Sequence, residues 1–459
     1  MRILICGAGQ VGSSIARQLS REDNEITIID YNADLIRQVN EQLDVKAFHG
    51  YASHPSVLKA ARAQDADMLI AVTYSDEVNM VACQIGYSLF DIPIRIARIR
   101  HQDYLQAEWS HLYSKDQLAL NVIISPELEV ADAILRRLHA PGSLDSIPFA
   151  DDQMRVIAIR CMSDCPVLGL PIALIKERAP DVEFNLLGVL HQSKFTLPND
   201  KTILSEGDEV HFIAPSKDVR RVMALFGHTE REARRAVIMG GGNIGFLLAQ
   251  KLEQDQEHSI RAKLIEYDPQ RAQQIAEELQ NTTVVCGSAI DQQILQEVDI
   301  EMCETVIAVT NDDETNILGA LLAKQFGAQR TTALVNNASY TPLLSELGVD
   351  VIVNPREITV STILEHVRRG KIESVHAIAD GAAEIIEAEV IATSAILGKS
   401  IRDLALPSGI LFGAILRGET MIVPDDDTVI MEKDRIIILA LAKMIRKVER
   451  IFSAGMEYF

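Results

Sequence analysis

Three glycines near the start of the chain have the spacing that brings a protein backbone close to a phosphate group. Gly7, Gly9 and Gly12 stand in "ICGAGQVGSSIARQL" and fit the pattern G-x-G-x-x-G. The first glycine permits a tight turn, the second lets the backbone approach a pyrophosphate, and the third lets a helix pack close to a sheet. The backbone amides of the first helical turn, at residues 11–14, would then face the phosphate. This pattern predicts binding of a dinucleotide or another adenine nucleotide.

A second loop of the same design begins later in the chain. Gly240, Gly242 and Gly245 stand in "IMGGGNIGFLLAQKL", and an acidic residue ends the next predicted strand in both copies: Asp30 in "ITIIDYN" and Glu266 in "AKLIEYD". A carboxylate at this position accepts hydrogen bonds from ribose hydroxyls and repels a 2′-phosphate. We therefore expect NAD(H) or ADP/ATP rather than NADP as the ligand.

Two further candidate positions end later strands of the first copy. Thr73, in "VTYSDE", would offer its hydroxyl and backbone at the sheet edge where ligands of such sheets lie. The alternative is that this Ser/Asp run only caps the helix that opens near Asp76. Arg98 ends the fifth strand, and its guanidinium could pair with phosphate or with acidic neighbours at an interface. We align Val335 with Arg98, so this charge is absent from the second copy and the two sites are not chemically equal.

The duplication extends along the whole chain. "FHGYASHPSVL" corresponds to "VCGSAIDQQIL", and "LIAVTYSDEVNMVA" corresponds to "VIAVTNDDETNILG" with the same offset. The stretches that follow also match, as "PVLGLPI" does "AILGKSI", so the plan is A–B–A′–B′. We predict four domains, at residues 1–140, 141–228, 229–370 and 371–459. The predicted linkers lie near Ala140–Pro148, Gly227–Arg235 and Arg369–Glu373.

Each A unit alternates apolar strands with helical patterns. The strand runs are continuously apolar rather than alternating, which is typical of strands buried on both faces of a parallel sheet. We predict an α/β protein with two Rossmann-like, doubly wound parallel-sheet domains, each followed by a small α+β domain. The predicted strands of the first copy are Arg2–Cys6, Ile26–Asp30, Val45–His49, Met68–Val72, Ile94–Ile99 and Val122–Ile124.

The stretch "SPELEVADAILRRL" is predicted to form an amphipathic helix after the first sheet. Leu128, Ala131, Ile134, Leu135 and Leu138 fall near one face of such a helix. We expect a crossover helix that packs beyond its own domain, and the alternative is a helix that packs only within it.

Composition excludes several classes of function. The net charge of −21 repels the phosphates of nucleic acids and of anionic lipids, so we predict no nucleic-acid partner. No run approaches the ~18 apolar residues of a membrane span, and "MRILIC" lacks a signal-peptide pattern, so we expect a cytoplasmic protein. The six cysteines show no zinc-ligand spacing, and the "PDDD" turn at residues 424–427 is typical of a solvated hairpin. We predict no metal site from these patterns.

In combination, four segments resemble the regulator-of-potassium-conductance (RCK/KTN) family: "GAGQVG", the block His49–Ala60, "DEVNMVACQ" and "GGGNIG…TNDDETNI". The resemblance covers the full length and implies two RCK units in tandem. It implies a nucleotide sensor, cytoplasmic and peripheral at the inner face of the cell membrane. Such a sensor binds NAD(H) or ADP/ATP and gates a membrane-embedded potassium uptake channel subunit of the Trk type. A closed ring of eight RCK units would make the protein a homo-oligomer, a tetramer of two-unit chains.

The resemblance also implies which residues contact the nucleotide. In the first copy they are Gly7, Ala8, Gly9, Gln10, Val11, Gly12, Asp30, Thr73, Tyr74 and Arg98. In the second copy they are Gly240, Gly241, Gly242, Asn243, Ile244, Gly245 and Glu266. The second copy departs from the family pattern at Val335 and has Asn311 where Tyr74 stands.

Two alternatives use the same kind of fold. An NAD-dependent oxidoreductase needs a substrate domain with an acid or base beside the nicotinamide, but the B units are small and duplicated. His49 corresponds to Cys286 in the second copy, so no shared catalytic role follows. We therefore predict that the chain is not an enzyme and has no catalytic residues. A regulatory nucleotide-binding module of another cation transporter stays open, because fold alone does not identify the partner.

Overall fold

The computed structural model describes the chain except for residues 21–23, 115, 193, 256–257, 338–339, 341–343, 345–346, 368–371, 380, 405 and 453–459. The chain divides into two compact units. The first comprises Met1–Glu129 and Arg356–Arg368, and the second comprises Val130–Pro355 and Arg369–Phe459. Residues 369–371 of the third predicted linker, and the boundary predicted between 370 and 371, lie outside the described residues.

The first A copy is a six-stranded parallel sheet, as predicted. Its strand order is β3-β2-β1-β4-β5-β6, the doubly wound order that reverses direction between β1 and β4. The strands are β1 (Arg2–Cys6), β2 (Glu25–Asp30), β3 (Lys46–His49), β4 (Met68–Ala71), β5 (Ile94–Arg98) and β6 (Val122–Ile124). The helices are α1 (Gln10–Ser20), α2 (Ala33–Gln42), α3 (Pro55–Ala60), α4 (Asp76–Phe90) and α5 (Pro126–His139). Short 3-10 turns occupy the connection from β5 to β6, at Gln102–Leu105 and Ala107–Tyr113.

The first B copy is a small α+β domain with an antiparallel sheet. Its strand order is β10-β9-β11-β8-β7. The elements are β7 (Asp145–Phe149), β8 (Met154–Arg160), α6 (Ile172–Glu177), β9 (Asn185–His191), β10 (Lys194–Thr196), β11 (Glu209–Pro215) and α7 (Val219–Leu225). The predicted linker Ala140–Pro148 is wrong in its second half, because residues from Asp145 onward pair with β8 as an edge strand.

The second A copy repeats the parallel sheet in the order β14-β13-β12-β15-β16-β17. Its strands are β12 (Arg235–Met239), β13 (Arg261–Glu266), β14 (Thr283–Cys286), β15 (Thr305–Ala308), β16 (Arg330–Leu334) and β17 (Val351–Val353). Its described helices are α8 (Asn243–Gln254), α9 (Pro269–Glu278), α10 (Gln292–Glu297), α11 (Asp313–Gln325) and α12 (Pro355–Val367). The predicted fold class is thereby confirmed for both A copies.

The second B copy has the strand order β18-β19-β22-β20-β21, the same arrangement as the first when matching strands are compared. Its elements are β18 (Ile372–Ile378), β19 (Ala383–Glu389), β20 (Ile410–Arg417), β21 (Thr420–Ile422), β22 (Arg435–Leu441) and α13 (Ile445–Phe452). The two B sheets share one apolar core, in which Phe149 and Leu187 of the first pack with Ile385 and Ile437 of the second.

Helix α12 belongs to the core of the first unit, although it follows the last strand of the second sheet. Ile363 and Leu364 are fully buried there and pack in the same cluster as Ile3 and Ile5 of β1. The last part of α5 shows the opposite arrangement. It follows the last strand of the first sheet, but its residues from Val130 onward belong to the second unit. The alternative that α5 packs only within its own domain is therefore wrong.

None of the helices in the described part of the chain combines the length and the apolar character needed to cross a bilayer.

The placement of α12 leads to a test of the first unit's stability. Replacing the buried Ile363 with Ala should remove packing worth ~2–5 kcal/mol from the core that contains β1. Hydrogen exchange of the β1 amides should become faster, while the β12 amides keep their protection. His366→Ala, an exposed change in the same helix, should alter neither strand. Faster exchange in β12 with β1 unchanged would assign α12 to the second sheet instead.

Candidate functional site

The two candidate sites lie at the carboxyl ends of the parallel sheets, where the strand order reverses. In the first copy this point lies between β1 and β4, and in the second between β12 and β15. Ligands of open α/β sheets bind in the crevice at this position. The glycine loops follow β1 and β12 directly, so the topology brings them to this crevice.

The first glycine of each loop makes close contact with the neighbouring strand end. Gly7 has a φ of +112° and Gly240 a φ of +107°. Residues other than glycine rarely adopt this backbone conformation. A Cβ at Gly7 would lie 3.0 Å from the backbone nitrogen of Thr73, and one at Gly240 would lie 2.9 Å from that of Thr310. Both the backbone conformation and the lack of space therefore require glycine here.

The third glycine lets the helix that follows start against the loop. A Cβ at Gly12 would lie 1.8 Å from the carbonyl oxygen of Gly7, and one at Gly245 would lie 1.9 Å from that of Gly240. No side chain can occupy that space. The first turns of α1 and α8 are therefore held directly over their glycine loops.

The second glycine of each loop differs from the other two. A Cβ at Gly9 or Gly242 would have no described atom within 4 Å, so the loop faces open space at these positions. Steric crowding within the chain therefore does not explain glycine here. Open space beside backbone at a helix N-terminus is the arrangement in which a phosphate can approach closely.

The acidic residue at the end of the second strand fastens the loop in both copies. Asp30 accepts hydrogen bonds from the backbone N–H of Ala8, at 2.6 Å, and of Asn32, at 2.8 Å. Glu266 accepts the two equivalent bonds at 2.7 and 2.8 Å. A carboxylate has about four acceptor positions, so each still has capacity for ribose hydroxyl donors. From the sequence we expected these acids to bind the ligand, but not to hold the glycine loop.

A buried asparagine that the sequence reasoning missed fixes the other side of the first site. The Oδ1 of Asn79 accepts hydrogen bonds from the backbone nitrogen of Thr73, at 2.9 Å, and from its hydroxyl, at 2.7 Å. The Nδ2 of Asn79 donates to the carbonyls of Thr73 and Arg98. Because the Thr73 hydroxyl already donates its proton, it can offer a ligand only acceptor lone pairs. The helix cap comes from Ser75, whose hydroxyl accepts from Val78, so Thr73 is not the cap.

The second copy repeats this network, and its geometry shows that the alignment of Val335 with Arg98 is wrong. Asn316 bonds Thr310 in the same way and donates to the carbonyl of Leu334 at 2.9 Å. In the sheets, β4 pairs Ala71 with Ala97, and β15 pairs Ala308 with Ala333. Leu334, not Val335, therefore occupies the position of Arg98. The expected absence of a positive charge at that position still holds, because Leu334 is also apolar.

A second acidic residue, present in both copies, holds the loop after the fifth strand. Asp76 accepts hydrogen bonds from the backbone nitrogens of Arg100 and His101, at 2.9 and 2.8 Å. Asp313 accepts equivalent bonds from the backbone of Asn336 and Asn337. The signal that could have revealed this role is the pattern D-E-x-N, which follows the fourth strand in both "SDEVN" and "DDETN".

Arg98 has a buried polar atom without a partner. Its Nε is buried and has no hydrogen-bond partner among the described residues. Burial lowers the pKa of Arg98, and the neighbouring Arg100 lowers it further, since both disfavour the charged form. Arg100 is itself paired with Glu127 at 2.9 Å and lies over the ring of Tyr74, at 5.5 Å from its centroid. A desolvated guanidinium of this kind would be stabilised by an anion.

The second copy contains a cavity of about 470 Å³ at the corresponding crevice. Of the predicted residues, Gly240, Gly242 and Glu266 line it, together with Thr310 and Asn311. The groups around this space are backbone of the glycine loop, the carboxylates of Glu266, Asp268 and Asp312, and short polar side chains. Such a lining suits a ligand that has both ribose hydroxyls and phosphates.

The second cavity has an arginine that the sequence reasoning missed. Arg271 lines the cavity, its Nε donates to the carbonyl of Gly241 at 3.0 Å, and its guanidinium lies 5.2 Å from the ring centroid of Phe246. Counting from Asp30 and Glu266, the matching residue of the first copy is Leu35. Each site therefore has its own arginine on a different element, β5 in the first copy and α9 in the second.

Comparison with protein-family models gives two matches, each found twice. The TrkA-N domain matches residues 3–126 and 236–355, and the TrkA-C domain matches residues 156–227 and 385–453.

The curated relatives are similar along their whole length. The chain is 44% identical to the Trk system potassium uptake protein TrkA of Azorhizobium caulinodans, with all of both chains covered. It is 40% identical to the protein of the same name from Halomonas elongata, again with full coverage.

Solved structures show the same fold at low sequence identity. The structure described as the GsuK RCK domain has a TM-score of 0.59 and 21% identity, and the match covers 98% of this chain and 94% of that one. The GsuK channel bound to NAD has a TM-score of 0.60 and 21% identity, with 98% and 78% covered. At this identity the likeness concerns the fold.

The open space at the second glycine leads to a prediction that separates binding from folding. Gly9→Ala and Gly242→Ala should leave thermal unfolding almost unchanged, since the added methyl group meets no described atom. Each should weaken nucleotide binding in its own copy at least about tenfold, because the methyl group occupies the space of a phosphate. Calorimetry of the full chain with ADP and with NADH measures this effect, and each variant is the control for the other. Unchanged affinity in both variants would remove the loops from the binding site.

Proposed function

Because the chain belongs to the family of the Trk system potassium uptake protein TrkA, we propose that it is the nucleotide-binding regulatory subunit of a potassium uptake system. It acts in the cytoplasm, peripheral at the inner face of the cell membrane, and gates a membrane-embedded channel subunit of the Trk type. The observation that carries this proposal is the presence of two crevices with the same backbone frame and differently placed arginines. Two unequal binding sites in one chain suit a sensor that compares ligands.

Family membership confirms the prediction that the chain is not an enzyme. The curated relatives are named potassium uptake proteins. These names disfavour the oxidoreductase alternative. The second alternative, a regulatory module of a different cation transporter, is distinguished by which membrane protein copurifies with the full chain.

The first site is proposed to bind NAD(H), ADP or ATP through three groups of residues. The pyrophosphate lies over Gly9 at the N-terminus of α1, where the backbone is open and the helix dipole is favourable. Asp30 accepts hydrogen bonds from the adenosine ribose, and Thr73 accepts one more through its hydroxyl oxygen. Arg98 pairs with the phosphate furthest from the ribose, which gives its unpartnered Nε a partner.

The second site is proposed to bind a nucleotide of the same class in the cavity beside β12. Glu266 takes the ribose, the loop at Gly242 takes the pyrophosphate, and Arg271 supplies the positive charge. A channel of the same fold has been described bound to NAD, which supports this class of ligand. The two sites should differ in nucleotide preference, because Arg98 approaches the ligand from strand β5 and Arg271 approaches it from helix α9.

Gating would follow from different affinities of the nucleotide for two states of the protein. A ligand shifts such an equilibrium only by its differential affinity, and about 1–3 kcal/mol is typical of allosteric coupling. We propose that the four domains, at residues 1–140, 141–228, 229–370 and 371–459, move relative to one another as ligands change. We further propose that four chains form a closed ring of eight RCK units.

The Nε of Arg98, which has no hydrogen-bond partner among the described residues, leads to a prediction about gating. Arg98→Ala should reduce the nucleotide dependence of potassium flux through the reconstituted channel, because the first site loses its phosphate partner. Arg17→Ala removes an exposed charge from α1 and should have no effect, which controls for net charge. Flux is compared with ATP, ADP and NADH. If Arg98→Ala leaves all three responses intact while Glu266→Ala abolishes them, the second site is the sensor.

The proposed ring predicts a defined mass in solution. Light scattering of the purified chain at micromolar concentration should give about four times the chain mass of 50.7 kDa. A monomer at that concentration would contradict the ring.

A further inference from the structure

Three side chains outside both crevices form a compact cluster at the end of α5. The Nε2 of His139 lies 2.7 Å from the Oδ2 of Asp255, and the Nδ1 of His258 lies 3.1 Å from the same oxygen. The two imidazole rings stack at 3.7 Å between centroids, with an interplanar angle of 10°. The side chains are 12–21% exposed, so one edge of the cluster remains open to solvent.

These atoms form a set of metal donors that sequence spacing does not reveal. His139 and Asp255 are 116 residues apart in the chain. One potential ligand atom from each of the three side chains lies within 4.8 Å of the other two. Two imidazole nitrogens and one carboxylate oxygen are typical of sites for zinc and similar transition-metal ions. Magnesium and calcium prefer oxygen donors, so this set disfavours them.

The charge of the cluster favours a cation. A histidine binds a metal ion through the lone pair of a neutral ring nitrogen. The Asp255 carboxylate supplies negative charge beside the two rings.

We propose that His139, Asp255 and His258 bind a zinc-like divalent transition-metal ion. The ligands are His139 Nε2, His258 Nδ1 and one oxygen of Asp255, with the open edge available for a water molecule. Tetrahedral zinc with bonds of about 2.0–2.1 Å holds its ligand atoms about 3.3 Å apart. The two nitrogens lie 2.7 and 3.1 Å from the Asp255 oxygen. Because the two rings lie in nearly parallel planes, binding of one ion by both requires the imidazoles to rotate out of the stack.

The metal ion would fasten the end of α5 to the second A copy. Asp255 directly follows α8, and one turn earlier Lys251 of α8 pairs with Asp132 of α5 at 2.8 Å. Helix α5 follows β6, the last strand of the first sheet. The ion would therefore hold the chain that leaves the first A copy against the second A copy. Binding of the ion would stabilise that attachment, and its loss would loosen it. This inference does not depend on the proposed nucleotide sites.

The test uses the full-length, tag-free chain in a Cys286→Ser background, because the exposed Cys286 thiol is a competing zinc ligand. Calorimetry with Zn²⁺ should show one site per chain, and Co²⁺ should give the visible absorption of a tetrahedral complex. Excess Mg²⁺ should not displace either ion. His139→Ala and His258→Ala should each weaken zinc binding at least about tenfold. His228→Ala, at another partly buried histidine paired with a carboxylate at 3.1 Å, should leave it unchanged.

A second variant keeps the test decisive if the alanine variants fold poorly. His258→Gln retains a group that can donate a hydrogen bond to Asp255 but offers no imidazole nitrogen. It should keep the parent circular dichroism spectrum and lose both zinc binding and the rise in thermal stability that zinc causes in the parent. Zinc binding that is absent from the parent, or that persists unchanged in His258→Gln, would show a hydrogen-bonded triad only and overturn the proposal.

Discussion

The close approach of each glycine loop to the end of the neighbouring strand is the constraint on which both candidate sites depend. The loop at Gly7 lies against the backbone of Thr73, and the loop at Gly240 lies against that of Thr310. The strand end is itself held by a buried asparagine, and the loop by the acid that ends the second strand. Because these contacts join the backbone to itself and to polar side chains of the same copy, they fix the crevice without a ligand. Side chains outside this frame were therefore free to diverge.

The charges around the frame are where the two copies differ. Arg98 stands in the first copy where Leu334 stands in the second, and Arg271 stands in the second where Leu35 stands in the first. A buried guanidinium that lacks a protein partner carries a desolvation cost that an anionic ligand can offset. Arg98 carries such a cost at its Nε, whereas the Nε of Arg271 already donates to the carbonyl of Gly241. Since the positive charges differ in both place and pairing, the same nucleotide should be bound with different affinity by the two copies.

The two B domains of the chain cover each other's apolar sheet faces. One face of each five-stranded sheet packs on its own helices, and the other face packs on the sheet of the other B domain. Hydrogen bonds also join them, as between Asn185 and the carbonyl of Gly413, and Arg435 pairs with both Asp151 and Glu387. A single B domain would expose an apolar sheet face to water. The second copy covers that face, so the two B domains form one structural body.

The sequence by itself determined the repeated plan, the parallel sheets and the glycine loops. These features depend on local periodicity and on spacing within about ten residues, so β1 and β6 have the predicted bounds and β2 to β5 each differ by one residue at one end. The acids Asp30 and Glu266 were also found, because their place follows from the end of a strand. Site assignments made from the family resemblance alone remain predictions.

Only the tertiary structure decided which distant residues meet. It showed that Leu334, not Val335, has the position in the second sheet that Arg98 has in the first. Sheet register is set by backbone pairing, which an alignment of the two sequence copies does not reveal. The tertiary structure brought α12 into the core of the first unit and Arg271 into the second cavity. It also brought His139 to Asp255 and His258 across more than a hundred residues. No local pattern records such contacts, because they result from the packing of elements whose order in space differs from their order in the chain.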